Sequence, residues 1–107
     1  MAVFHFTLNR SFLGTKVHPI TVPKSQVPYR AFEAEGLSAK DITIIFPRGE
    51  QFEGQMYHGD AGYGEYYQIR FCGENRTIPG YLKLDDQLLV TLHKVSGRNY
   101  AVLEYRE

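Results

Sequence analysis

Apolar side chains come in short runs along this chain, and polar or glycine-bearing segments separate them. Residues 3 to 8, Val-Phe-His-Phe-Thr-Leu, are rich in β-formers and predict a first strand, which the polar, glycine-containing segment Asn9 to His18 breaks. Ile20-Thr21-Val22 predicts a short second strand that Pro23 ends, and Pro23 to Val27 opens a brief helix toward Phe32. Asp41 to Phe46 is the clearest strand, and Pro47-Arg48-Gly49-Glu50 is a turn that returns the chain. The return strand, Gln51 to Tyr57, alternates Phe52, Gly54 and Met56 with polar neighbours until Gly59 to Gly64 breaks the pattern into a flexible, exposed loop. Glu65 to Phe71 follows as a strand, with a turn around Gly73-Glu74-Asn75. Leu82 to Leu92 leads into a long strand, Ser96 to Asn99 turns, and Tyr100 to Tyr105 closes the sheet. About seven strands joined by short turns, with one or two short helices, predict a mainly β fold: a seven-stranded open barrel or pseudobarrel.

Composition limits the organisation. At 107 residues the chain fits one domain spanning 1–107. With 43% hydrophobic and 14% aromatic residues it is well above the disordered range. No apolar run approaches the roughly 20 residues of a membrane helix, and the start MAVFHFTLNR lacks the basic and apolar blocks of a secretory signal, so a cytoplasmic, monomeric domain with no membrane partner is expected. The lone Cys72 has no internal disulfide partner and frames no zinc site; it reads as a small core or strand residue. Net charge is zero, yet residues 1 to 30 carry Arg10, Lys16, Lys24 and Arg30 without one acid, and the acids begin at Glu33. The chain is electrically lopsided.

Signs of catalysis are missing from the pattern. His5, His18, His58 and His93 are scattered without the spacing that places two ligands on one site, so no metal and no cofactor are expected. Asp85 and Asp86 are adjacent and would point to opposite faces of a strand; a solvated turn explains them better than an acid–base pair. The glycines of residues 59–64 lack the following helix that a phosphate loop needs. The expectation is a binding domain and no enzyme.

Two segments hold what reading a duplex requires: long donors for phosphates and guanine edges, and an acceptor for a cytosine amino group. The first arm runs from Arg10 to His18 and offers Arg10, Ser11, Thr15, Lys16 and His18. The second runs from His58 to Arg70 and offers His58, Asp60, Tyr63, Glu65, Tyr66, Tyr67, Gln68 and Arg70, with one of the two adjacent tyrosines, Tyr66 or Tyr67, in the core by strand alternation. Lys24 adds a backbone contact. If both arms leave the same end of a barrel they can enter one major groove, which admits a two-stranded ribbon as well as a helix. The tyrosines leave open a second reading, a barrel that stacks single-stranded nucleic acid or RNA, and a third, a protein-interaction barrel.

The order of these elements resembles a known family. A strand, a polar arm, Ile20 to Lys24 opening a short helix, Asp41 to Phe46, a glycine-rich arm, and Pro79 to Leu92 with its Lys83-Leu84-Asp85-Asp86 step are similar to the plant B-three DNA-binding pseudobarrel. The similarity is greatest to its bacterial version, the N-terminal effector domain of EcoRII-type restriction endonucleases. The resemblance implies double-stranded DNA as partner, two arms gripping the major groove, Lys16 in the first arm, Glu65 in the second, and a basic residue at Arg70. It also implies a separate nuclease domain in the full-length protein and a target of the CC(A/T)GG kind. Where that family's second arm is heavily basic, this chain has Ala61, Tyr63, Tyr66 and Tyr67.

Overall fold

The computed structural model describes residues 1–106. Its elements in chain order are β1 (Ala2–Thr7), α1 (Arg10–Gly14), β2 (Ile20–Val22), α2 (Tyr29–Ala34), β3 (Asp41–Ile45), β4 (Gln51–Ala61), β5 (Gly64–Phe71), β6 (Gln87–Val95) and β7 (Arg98–Tyr105). All seven strands form one sheet in the order β1-β6-β7-β3-β4-β5-β2. Every pairing is antiparallel except β3 with β7, where Ile42 lies opposite Asn99 and Ile45 opposite Val102. The two edge strands come back toward each other: His5 N on β1 donates to Gln26 Oε1, just beyond β2, at 2.8 Å. The sheet is thus a nearly closed barrel with two short helices, as the strand and turn pattern predicts.

Period-two alternation fills the interior. Phe4 and Phe6, Ile42 and Ile44, Phe52 and Met56, Tyr67, Ile69 and Phe71, Leu88, Val90 and Leu92, and Ala101 and Leu103 are all buried. The helices plug the ends: Phe12 of α1 meets Phe6 edge-on at 5.5 Å, and Tyr29 and Phe32 of α2 pack on Tyr67 at 4.9 and 5.0 Å. Gly54 is a core glycine for a steric reason. A Cβ there would lie 2.7 Å from Ile44 Cδ1, so the β3 isoleucines occupy the space a side chain would need.

Three local expectations change. Residues 59–64 are not a flexible loop: Gly59 pairs with Tyr66, Asp60 with Glu65 and Ala61 with Gly64, leaving a two-residue turn at Gly62 and Tyr63. Strand pairing wins because Gly64, at φ 109, supplies the left-handed backbone the tight turn needs. The polar arm begins as a helix: Asn9 Oδ1 accepts from Phe12 N at 2.8 Å, a side-chain cap, and Phe12 is buried beneath it. The second helix starts later than Pro23. Residues 23–27 form a turn, with Val27 N donating to Pro23 O at 2.9 Å, and α2 begins at Tyr29 after Pro28. Asp85 and Asp86 do lie in a turn before β6, with Asp86 Oδ2 accepting from Lys83 N at 2.9 Å. Among the described residues no helix is long and apolar enough to cross a membrane.

Candidate nucleic-acid interface

The first arm and the tip of the second leave opposite ends of the barrel, while Gln68 and Arg70, at the end of the second arm, lie beside the first. β2 runs antiparallel to β5, with Ile20 opposite Ile69 and Val22 opposite Tyr67, and Phe71 N donates to Val17 O at 2.7 Å. The first arm therefore sits beside the far end of β5, whereas the turn at Gly62 and Tyr63 precedes its start. Seven residue steps from Gly64 to Phe71 correspond to about 23 Å at ~3.3 Å per residue. The single wrench expected from a common end is not assembled, and Lys16 and Glu65 belong to different surfaces. Lys24 does approach the ribbon: its Nζ would lie 3.2 Å from a Cβ built on Gly64.

In the first arm Arg10, Ser11, Thr15 and Lys16 are exposed, and His18 is not. His18 has φ 42, and its two ring nitrogens lie 2.6 Å from Phe12 O and 2.8 Å from Arg76 O. Its ring meets Phe71 edge-on at 5.1 Å. His18 clamps α1 to the segment after β5, which removes it from the surface proposed to meet a partner. Lys16 lines an open cleft of about 670 Å³ with Thr15, Arg76 and Thr77.

Alternation divides the β4–β5 ribbon into two faces. The outer face carries Tyr57 from β4 and Tyr66, Gln68 and Arg70 from β5. The Arg70 guanidinium lies 3.7 Å from the Tyr57 ring centroid, Tyr57 lies 5.8 Å from Tyr66, and Tyr66 lies 6.1 Å from Tyr63 at the turn. Arg70 Nε donates to Gln68 Oε1 at 2.8 Å, and Gln68 Nε2 donates to Thr21 Oγ1 on β2 at 3.1 Å. Gly59 makes the row possible, because a Cβ there would come within 2.5 Å of the Tyr66 ring and 2.7 Å of Tyr57. Burial and the hydrogen bond with Tyr57 raise the Tyr66 phenol above its ordinary range, so it stays a neutral hydroxyl.

The inner face at the tip turns toward α2. Tyr67 is buried and its hydroxyl donates to Glu33. Burial, then the Glu33 carboxylate, push its pKa up to about 12, while Glu33 is held below its ordinary value by the Tyr67 hydrogen bond and then by Arg30. Arg30 donates to both Glu33 and Glu65. His58 Nε2 lies 2.9 Å from Glu65 Oε2, and its ring stacks on Tyr67 at 4.2 Å and 10°. The Glu65 carboxylate, expected to accept from cytosine, is thus engaged within the fold, and Tyr67 is a core residue. Asp60 stays exposed on this face.

Tyr66, Gln68 and Arg70 are site residues that the sequence itself marks, whereas Tyr57, Arg30 and Glu33 join the site only in the folded structure. Tyr57 was within reach, since period-two counting along Gln51 to Tyr57 puts it on the polar face with Glu53 and Gln55. Arg30 and Glu33 come to the ribbon only through the packing of α2. No protein-family model matches this chain, and no curated protein does.

Proposed function

We propose that this domain binds double-stranded DNA in a sequence-dependent way, laying the outer face of the β4–β5 ribbon against the major groove, and carries out no chemistry itself. The observation that carries the reading is the Thr21–Gln68–Arg70–Tyr57 ladder. It holds a guanidinium and an amide side by side on the outer face of β5, where β2 and β4 flank it, the donor types that read guanine and adenine edges, with their rotamers fixed before contact. Beyond Met56 on β4 and before Tyr67 on β5 the ribbon has no further strand neighbour, so its tip, which carries Tyr57, Tyr63 and Tyr66, is free to lie along the groove wall beside the Arg70–Gln68 pair. Tyr57, Tyr63 and Tyr66 supply hydroxyls for phosphates and Lys24 adds a cation beside the turn.

This reading keeps the family resemblance and moves the contact. The groove reader is Arg70 with Gln68; Glu65 holds Arg30 and His58 in place; Arg10, Ser11, Thr15 and Lys16 serve flanking backbone. On the same footing the domain is the recognition module of an EcoRII-type restriction endonuclease with its nuclease elsewhere, and its target is of the CC(A/T)GG kind. A guanine and an adenine in such a site suit Arg70 and Gln68.

Arg70→Ala is expected to weaken binding to a selected duplex by about 1–3 kcal/mol and to relax the preference at one base pair. Glu65→Gln is expected to lose less, because its carboxylate faces α2. Equal affinity and equal selectivity of Arg70→Ala and the parent, measured by fluorescence anisotropy, would refute the assignment. One observation favours a second reading: the Tyr63–Tyr66–Tyr57 row, at 6.1 and 5.8 Å, is a platform on which unpaired bases could stack. Tighter binding of single strands than of duplex would establish that reading instead.

A further inference from the structure

We propose that Glu33, His58 and Glu65 form a binding site for a divalent transition ion of the zinc class, and that the Arg30 guanidinium is its intramolecular stand-in, leaving when the ion enters. The three side chains come from α2, β4 and β5, and one ligating atom from each lies within 4.8 Å of the other two. Zinc ligated at about 2.1 Å holds its donors about 3.4 Å apart in a tetrahedron, so small side-chain rotations close the cluster. One imidazole with two carboxylates is a nitrogen–oxygen set suited to zinc, cobalt or nickel ahead of calcium or magnesium.

Two further features favour an ion here over a plain ion-pair network. The ligands are already oriented: the His58 ring is stacked on Tyr67, and Tyr67 donates to Glu33, which is the kind of outer-sphere support that aims a ligating carboxylate. Both carboxylates also converge on one positive group, since among the described residues Arg30 hydrogen-bonds only to Glu33 and Glu65. The Arg30 side chain is 75% exposed, so it can swing into solvent without disturbing the core. With three protein ligands the fourth position is left for water or a partner's donor atom. The site lies on the inner face of the ribbon and stands whether or not the outer face binds DNA.

The test is isothermal titration of the intact domain with Zn²⁺, and with Co²⁺ to read the visible d–d absorption of a low-coordinate ion. The parent should bind one ion; Arg30→Gln should bind it about tenfold more tightly, and His58→Ala and Glu65→Gln at least tenfold more weakly. His5→Ala and His93→Ala should bind as the parent does, and far-UV circular dichroism should be unchanged in all variants. No heat or absorbance in the parent, binding confined to Arg30→Gln, or parental affinity retained by His58→Ala would each overturn the proposal.

Discussion

Tyr67 shows how a single residue joins core and surface. Its ring is part of the aromatic cluster with Tyr29 and Phe32, while its hydroxyl reaches Glu33 at the rim. The folded state holds the phenol proton more tightly than an exposed tyrosine does, with a pKa of about 12 against the ordinary 10.0. The resulting stability is fully present below pH 10 and is lost as pH rises through about 12. Glu33 has the opposite sign. Its pKa is depressed, so its contribution is present above the ordinary value of 4.5 and is lost as pH falls below it. Tyr67→Phe should lower stability near neutral pH by about 1 kcal/mol and flatten both limbs of the pH profile. Denaturant titrations between pH 3 and pH 12 check this, and unchanged limbs in the variant would contradict it. Strand alternation foresees that one of Tyr66 and Tyr67 is internal; the register with Val22 decides that it is Tyr67. Nothing local announces that His18 is a buried clamp, because its φ of 42 and both carbonyl partners arise from how α1 docks on the residue 72–77 segment.

Among elements, the β4–β5 ribbon departs most from what its sequence suggests. Glycines at residues 59, 62 and 64 read as a break in a strand, yet each has a different effect once the strands pair. Gly64 makes the turn, Gly62 occupies it, and Gly59 clears room for Tyr66 and Tyr57. Gly59→Ala should therefore leave the barrel folded, with a stability change of about 1 kcal/mol or less, because it meets only the far ends of two outer-face rings, exposed Tyr57 and half-buried Tyr66, that can rotate away. Nucleic-acid affinity should still fall at least several-fold, because the tyrosine row and the Arg70 stack are displaced together. Thermal melting and anisotropy on the same sample measure the two effects; full affinity in a folded variant would mean that the row plays no part in binding. The hairpins β3–β4 and β6–β7 were legible because proline, glycine and asparagine at residues 47–49 and 97–99 mark their turns. The short helix α1 was not, since five residues give too little periodicity and Asn9 as its cap is a signal only in retrospect.

At the scale of the whole molecule, topology rearranges what sequence order placed side by side. The first arm and the tip of the second lie at opposite ends of β5, because β2 and β5 run antiparallel. The mainly β fold follows from alternation and turns; the separation of the arms follows from strand order, which depends on contacts across most of the chain, such as β1 with β6 and β3 with β7. The acid-free first 30 residues are also split: Arg10 and Lys16 go to one end, Lys24 and Arg30 to the ribbon tip, where Arg30 is neutralised by Glu33 and Glu65. Binding on this account places only Arg10, Lys16 and Lys24 against phosphates, so its salt dependence should correspond to the release of about three counterions. The most direct test is selection of bound duplexes from a randomised library by this domain, repeated with Arg70→Ala. The account predicts a short enriched motif containing guanine, blurred at one position by the substitution. Failure to enrich any duplex at low salt, or a motif identical in parent and Arg70→Ala, would contradict it.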